Sequence, residues 1–167
     1  YAMFIEFFTG KWVEEVVLHV LQQLQTKQAI PVHELKKGVE AEFNGRPCEI
    51  DVITIRGYQL FLCSCTTSQD IKYVKQKAFE AIYRAEELGG EHAKTIVIST
   101  MYNKTDGRSE SFADNNNLKQ LEKDLQQFDA KRNCSLIGLD ELEDELRKGP
   151  QQEGKLSQRL RTIITQG

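Results

Sequence analysis

Asp51 is the residue whose surroundings promise chemistry. It stands in Glu49-Ile50-Asp51-Val52-Ile53-Thr54-Ile55-Arg56, and a Gly57-Tyr58 turn separates this run from Gln59-Leu60-Phe61-Leu62-Cys63-Ser64-Cys65-Thr66-Thr67. Both runs are rich in β-branched and aromatic residues, so they read as neighbouring antiparallel strands with Gly57 supplying the turn. Side chains alternate across a strand, which puts Glu49, Asp51, Ile53 and Ile55 on one face and Cys48, Ile50, Val52 and Thr54 on the other. On the second strand Ser64 and Thr66 go one way, Cys63 and Cys65 the other. A carboxylate followed thirteen positions later by two polar residues at i and i+2 is the skeleton of a hydrolytic centre built on a divalent cation. Such a centre uses two carboxylates as hard oxygen ligands for Mg²⁺ or Mn²⁺ and an ammonium to position the attacking water. Asp51 supplies one carboxylate. Ser64 and Thr66 stand where the second carboxylate and the ammonium would be.

Ser64 offers a neutral hydroxyl and Thr66 no cation, and loss of a positioned acid–base group alone slows a reaction by roughly 10²–10⁴-fold. The missing charges could instead have migrated, with Glu49 as the second ligand, about 7 Å from Asp51 along the same face, and Lys72 or Lys75 entering from the next helix. A Ser64 or Cys63 nucleophile is disfavoured, because no Gly-x-Ser-x-Gly turn and no nearby histidine accompany them.

With 167 residues the chain is one domain's worth, expected as a single domain over 1–150 with a tail or helix over 151–167. Forty per cent hydrophobic and 28% charged residues suit a folded protein rather than a disordered one. A net charge of −3 argues against a broadly basic nucleic-acid-binding surface, so any such contact is expected from a local patch. No apolar run reaches membrane-spanning length, and the Tyr1–Phe8 start lacks the pattern of a secretory signal, so a cytoplasmic protein with no membrane partner is expected. Cys48, Cys63, Cys65 and Cys134 lack zinc-site spacing, and His19, His33 and His92 are scattered, so reduced thiols and no tightly bound cofactor are expected.

The elements that must position Asp51 follow from periodicity. Apolar Phe4, Ile5, Phe7 and Phe8 precede Thr9, a candidate cap. Trp12, Val13, Val16, Val17, Val20, Leu21 and Leu24 recur at helical spacing over 11–25, with Glu14 and Glu15 in the first turn. A short strand over 39–43 leads through Asn44-Gly45 into the two central strands, making a three-stranded meander. Ser68 opens a helix whose stripe is Ile71, Val74, Ala78, Ala81, Ile82, Ala85 and Leu88, with Cys63 and Cys65 expected beneath it. Gly89-Gly90 stops it. Lys94–Thr100 reads as a strand covered on both faces, 101–117 as a loop, and Leu118–Phe128 as a helix ending near Asn133. A last strand at 134–138 and a helix capped by Asp140 follow. The expected architecture is α/β: a mixed sheet of about five strands, an antiparallel meander plus two crossover strands, with helices on both faces.

Several stretches recur in one order in a known family. They are Thr9-Gly10-Lys11-Trp12-Val13-Glu14-Glu15, Glu49-Ile50-Asp51-Val52, the 59–67 strand, Leu88-Gly89-Gly90 before Ile96-Val97-Ile98-Ser99, and Ile137-Gly138-Leu139-Asp140-Glu141-Leu142. Over roughly 7–148 the chain resembles the restriction-endonuclease-like PD-(D/E)xK nuclease domain of the type III CRISPR ancillary nucleases. Those proteins join it to a cyclic-oligoadenylate-sensing CARF domain. The resemblance implies that Glu14 matches the acidic residue of the first helix, that Asp51 is the metal-binding Asp, and that Ser64 and Thr66 replace the Glu and Lys. It implies a nuclease fold with a degenerate site, linked to antiviral defence, inactive or very slow, and serving dimerisation or nucleic-acid binding. An active Mg²⁺- or Mn²⁺-dependent DNA or RNA endonuclease with migrated residues is the alternative, and a structural interaction module a third. A homodimer and a separate or missing sensor domain are the expected partners.

Overall fold

A computed structural model describes residues 10–43, 45–101, 117–128, 133–149 and 152–166. Phe4–Phe8, the Thr9 cap, Asn44 and most of the expected 101–117 loop lie outside the described residues. Five strands form one sheet: β1 (Glu34–Phe43), β2 (Arg46–Arg56), β3 (Gln59–Thr66), β4 (Lys94–Ser99) and β5 (Cys134–Ile137). They lie in sequence order, antiparallel from β1 to β3 and parallel from β3 to β5. The mixed α/β sheet expected from the sequence is the one observed, and β1 starts earlier than the apolar alternation predicts because Lys36, Lys37 and Gly38 carry no buried face.

Helices cover both faces. Helix α1 (Trp12–Thr26) buries Val13, Val17, Val20, Leu21 and Leu24 against Val52, Phe61, Cys63, Cys65, Ile96, Ile98 and Ile137. Helices α4 (Leu139–Lys148) and α5 (Lys155–Gln166) join this cluster through Leu142, Leu156, Leu160 and Ile164, all fully buried. The segment expected as a tail or helix thus forms α5 and completes the main core. Cys63 and Cys65 also lie under α1, not under the second helix. On the opposite face α2 (Ile71–Gly89) buries Val74, Ala78, Ala81 and Ala85, and α3 (Asn117–Phe128) adds Leu118, Leu121 and Leu125. Asp70 begins α2 by accepting from the Lys72 N–H at 2.9 Å, a side-chain cap that fixes the helical phase. Asp140 does not cap α4; the Glu141 carboxylate accepts from the Gly138 N–H at 3.1 Å instead.

Candidate functional site at the β2–β3 divergence

Asp51 sits where regular pairing stops. The β2–β3 ladder runs from Arg56–Gln59 to Val52–Cys63, and the β1–β2 ladder passes over the facing pair Gly38 and Asp51 between Lys37–Val52 and Val39–Ile50. Gly38 has φ +61°, a left-handed conformation that glycine adopts without steric cost, so the edge strand is irregular at this point. Strand alternation fails here too. Ile50 packs with Leu62 and Ala81 on the α2 side, whereas Val52, two residues on, packs under α1. In place of a ladder bond, Asp51 Oδ2 accepts from the Cys65 N–H at 2.6 Å, and the neighbouring Ser64 hydroxyl favours the charged form of the same carboxylate.

Charged side chains from the helices on both faces of the sheet act at this position. From the α1 side Glu14, held one residue after fully buried Val13, feels the charges of Asp51 and Glu49. An ion pair between Lys37 on β1 and Glu15 ties the start of α1 to the sheet edge. From the α2 side Lys77 lines a narrow cleft with Glu49, Asp51, Ser64, Glu80 and Arg84. Arg84 pairs with Glu80 and donates to the Glu49 carbonyl at 3.3 Å, which pins the cleft wall.

Burial, then the neighbouring Asp51 and Glu49, push the Glu14 carboxyl up to about 7, with Lys37 and Lys11 pulling back. Burial also raises Asp51, and Glu49 adds to it, while the Cys65 N–H, Lys77 and the Ser64 hydroxyl favour its charged form. Negative charge thus accumulates at Glu14, Glu49 and Asp51, offset by Lys37 and Lys11 at Glu14 and by Lys77 at Asp51. Beneath them, burial pushes the Cys63 thiol up to about 12 and Cys65 well above the usual thiol range, which makes both inert.

Of the residues singled out from the sequence, Glu14, Glu49, Asp51 and Ser64 come together. Thr66 does not: its Oγ1 accepts from the Ser68 N–H at 3.2 Å and shapes the turn into α2. Lys75 turns away to pair with Asp124 on α3 at 2.6 Å. Lys72 is exposed at the start of α2. The ammonium near Asp51 is that of Lys77, which sequence reading missed. Helical phase could have found it, because at about 100° per residue Lys77 lies within roughly 60° of Val74, Lys75 about 100° to the other side, and Lys72 nearly opposite. Asp51 is the residue expected to bind a metal, and among the described residues no three His, Cys, Asp or Glu side chains converge closely enough to hold a metal ion.

No family model matches the chain, and no curated protein matches it. Solved structures do. Protein VC1899 from Vibrio cholerae superposes with a TM-score of 0.61 at 20% identity over 96% of this chain. Can2 from Sulfobacillus thermosulfidooxidans, solved in complex with cyclic tetra-adenylate, gives 0.59 at 14% identity over 92%. Both contain this α/β fold. The chain spans 35% of VC1899 and 33% of Can2, about a third of each. No helix among the described residues is long and apolar enough to cross a membrane.

Proposed function

We propose that this chain is the nuclease-fold part of a CRISPR-linked defence protein and that it holds nucleic acid at the Asp51 cleft with cleavage absent or very slow. The carrying observation is that the Asp51 carboxylate accepts from the Cys65 N–H and is faced by the neutral Ser64 hydroxyl, at the position where the resembled nucleases present a second carboxylate. The likeness to Can2, whose structure holds cyclic tetra-adenylate, supports the wider assignment, with oligoadenylate sensing belonging to the remainder of such a protein. Lys77 and Arg84 on the cleft wall supply the local positive charge that a phosphate backbone needs in a chain of net charge −3.

A second reading, cleavage assisted by Mg²⁺ or Mn²⁺, is favoured by one observation: Lys77 offsets the Asp51 charge from α2, the role expected of a migrated lysine. Asp51, Glu49 and Glu14 would be the ligands. Their present arrangement does not make a three-ligand site, so no cleavage step is built on them.

Purified protein incubated with single- and double-stranded DNA and RNA, with and without Mn²⁺ at low salt, separates these readings. The first expects retention without cleavage, weakened about tenfold when Lys77→Met removes a phosphate contact. Mn²⁺-dependent cleavage abolished in Asp51→Ala overturns it and establishes the second. Neither binding nor cleavage leaves an interaction module, for which light scattering reports whether the chain pairs with a second copy.

A further inference from the structure

The Asp51 cleft is too small to receive a base. It encloses about 10 Å³, room for one water molecule. Its positive wall is also offset locally, because Lys77 and Arg84 share the cleft with Glu49, Asp51 and Glu80, and Arg84 pairs with Glu80. Phosphate contacts hold a strand by accumulating positive charge. With its cations so matched, the cleft needs a further contact outside it that does not depend on charge.

Helix α2 offers an aromatic ring for that contact. At about 100° per residue, Tyr73 lies roughly 40° from Lys77 around the helix, between Arg84 at about 20° and Glu80 at about 60° on the same side. Arg84 and Glu80 both line the cleft, so Tyr73 continues its wall toward the N-terminus of α2. Helical residues four apart are neighbours, about 5–6 Å from each other. Long helical side chains lean toward the N-terminus, which carries the Lys77 ammonium toward the turn that bears Tyr73. The Tyr73 ring is 46% exposed. An aromatic ring beside a phosphate-binding cation is the pairing that holds a single strand, since every base has a flat face to stack whatever the sequence. A duplex keeps its bases stacked on one another and offers none. Tyr83, 51% exposed on the same helix, lies about 120° from Lys77 and off this wall.

We propose that Tyr73 is a specificity-determining residue of the Asp51 cleft, stacking one unpaired base whose phosphate rests at Lys77. The inference rests on the reading of that cleft as a nucleic-acid site. The test titrates the full chain at low salt, without divalent metal, and follows anisotropy with three fluorescein-labelled probes: an oligothymidylate, the same strand with abasic positions through its centre, and a duplex of equal length. Tyr73→Ala weakens binding of the intact strand at least about fivefold and leaves the abasic strand and the duplex unchanged. Tyr73→Phe keeps the affinity, Tyr83→Ala changes nothing, and Lys77→Met weakens all three probes. A neutral Tyr73→Ala, an equal loss for the intact and abasic strands, or the same loss in Tyr83→Ala, with Lys77→Met still weakening, overturns the stacking role and leaves the cleft reading standing. No binding of any probe, or binding unchanged in Lys77→Met, overturns the cleft reading and this inference with it.

Discussion

Two carboxylates in this molecule have almost the same partners and opposite surroundings. Glu145, 8% exposed, accepts from the Ser157 N–H at 2.9 Å and the Ser157 hydroxyl at 2.6 Å. Asp51 likewise accepts from one backbone N–H and has a serine hydroxyl beside it that favours its charged form. Glu145 sits at the N-terminus of α5, where Asp144 also accepts from the Lys155 N–H at 2.8 Å, so acidic charge meets the positive end of a helix. Asp51 meets Glu49 and Glu14 instead. The first arrangement docks a helix; the second stores repulsion. Matched hydrogen bonds therefore do not make a carboxylate structural. The sign of the charge around it decides, and accumulated like charge is a mark of a functional site.

This contrast predicts opposite responses to mutation. Glu145→Ala orphans two buried donors and should destabilise the fold by about 3 kcal/mol in urea titration; a loss similar to that of an exposed surface change would break the comparison. Asp51→Asn keeps an oxygen acceptor for the Cys65 N–H while deleting a repelled charge, so stability should hold or rise by about 1 kcal/mol. A loss as large as that of Glu145→Ala would make Asp51 a structural residue after all.

Glu14 sharpens the contrast through pH. Its folded pKa lies above the unfolded one, so the native state holds the extra proton between about 4.5 and about 7. Its contribution to stability is fully present below that window and fades as pH rises through it. Glu14→Gln should therefore gain about 1 kcal/mol near pH 8, discounted because the side chain is part-exposed, and nothing near pH 4. A gain independent of pH would refute the electrostatic origin. The smallest effect concerns thiols: with the fold intact, only half-buried Cys48 and Cys134 should react with a thiol reagent, and Cys63 and Cys65 only on unfolding. Early labelling of Cys63 would show that the core beneath Asp51 opens.

Much of this fold was legible because its strands are buried and its helices striped. Lys94–Ser99 is apolar without alternation and is covered on both sides, and Val74, Ala78, Ala81 and Ala85 repeat at helical spacing. The start of β1 was hidden because an edge strand facing water has no apolar period to read. The Asp51–Ser64 meeting followed from antiparallel register, but the swap of faces between Ile50 and Val52 did not, since period-two reasoning has no term for a break in the ladder. Lys77 is legible only by its angle around α2, which places it closer to Val74 than Lys72 or Lys75. Glu145 gave no sign of burial, since the stripe Leu156, Leu160 and Ile164 suggests a helix over the last segment but not where its first turn, with Ser157, docks.

Gly38 carries a consequence beyond the cleft. β1 is one of the two outer strands of the sheet, and an unprotected outer strand is a template onto which another chain can add. The left-handed residue in its middle, flanked by Lys37 and near Glu49, interrupts the row of outward amides that such an intruder would need. The irregularity that leaves Asp51 accessible thus also guards the molecule's open margin against runaway self-assembly.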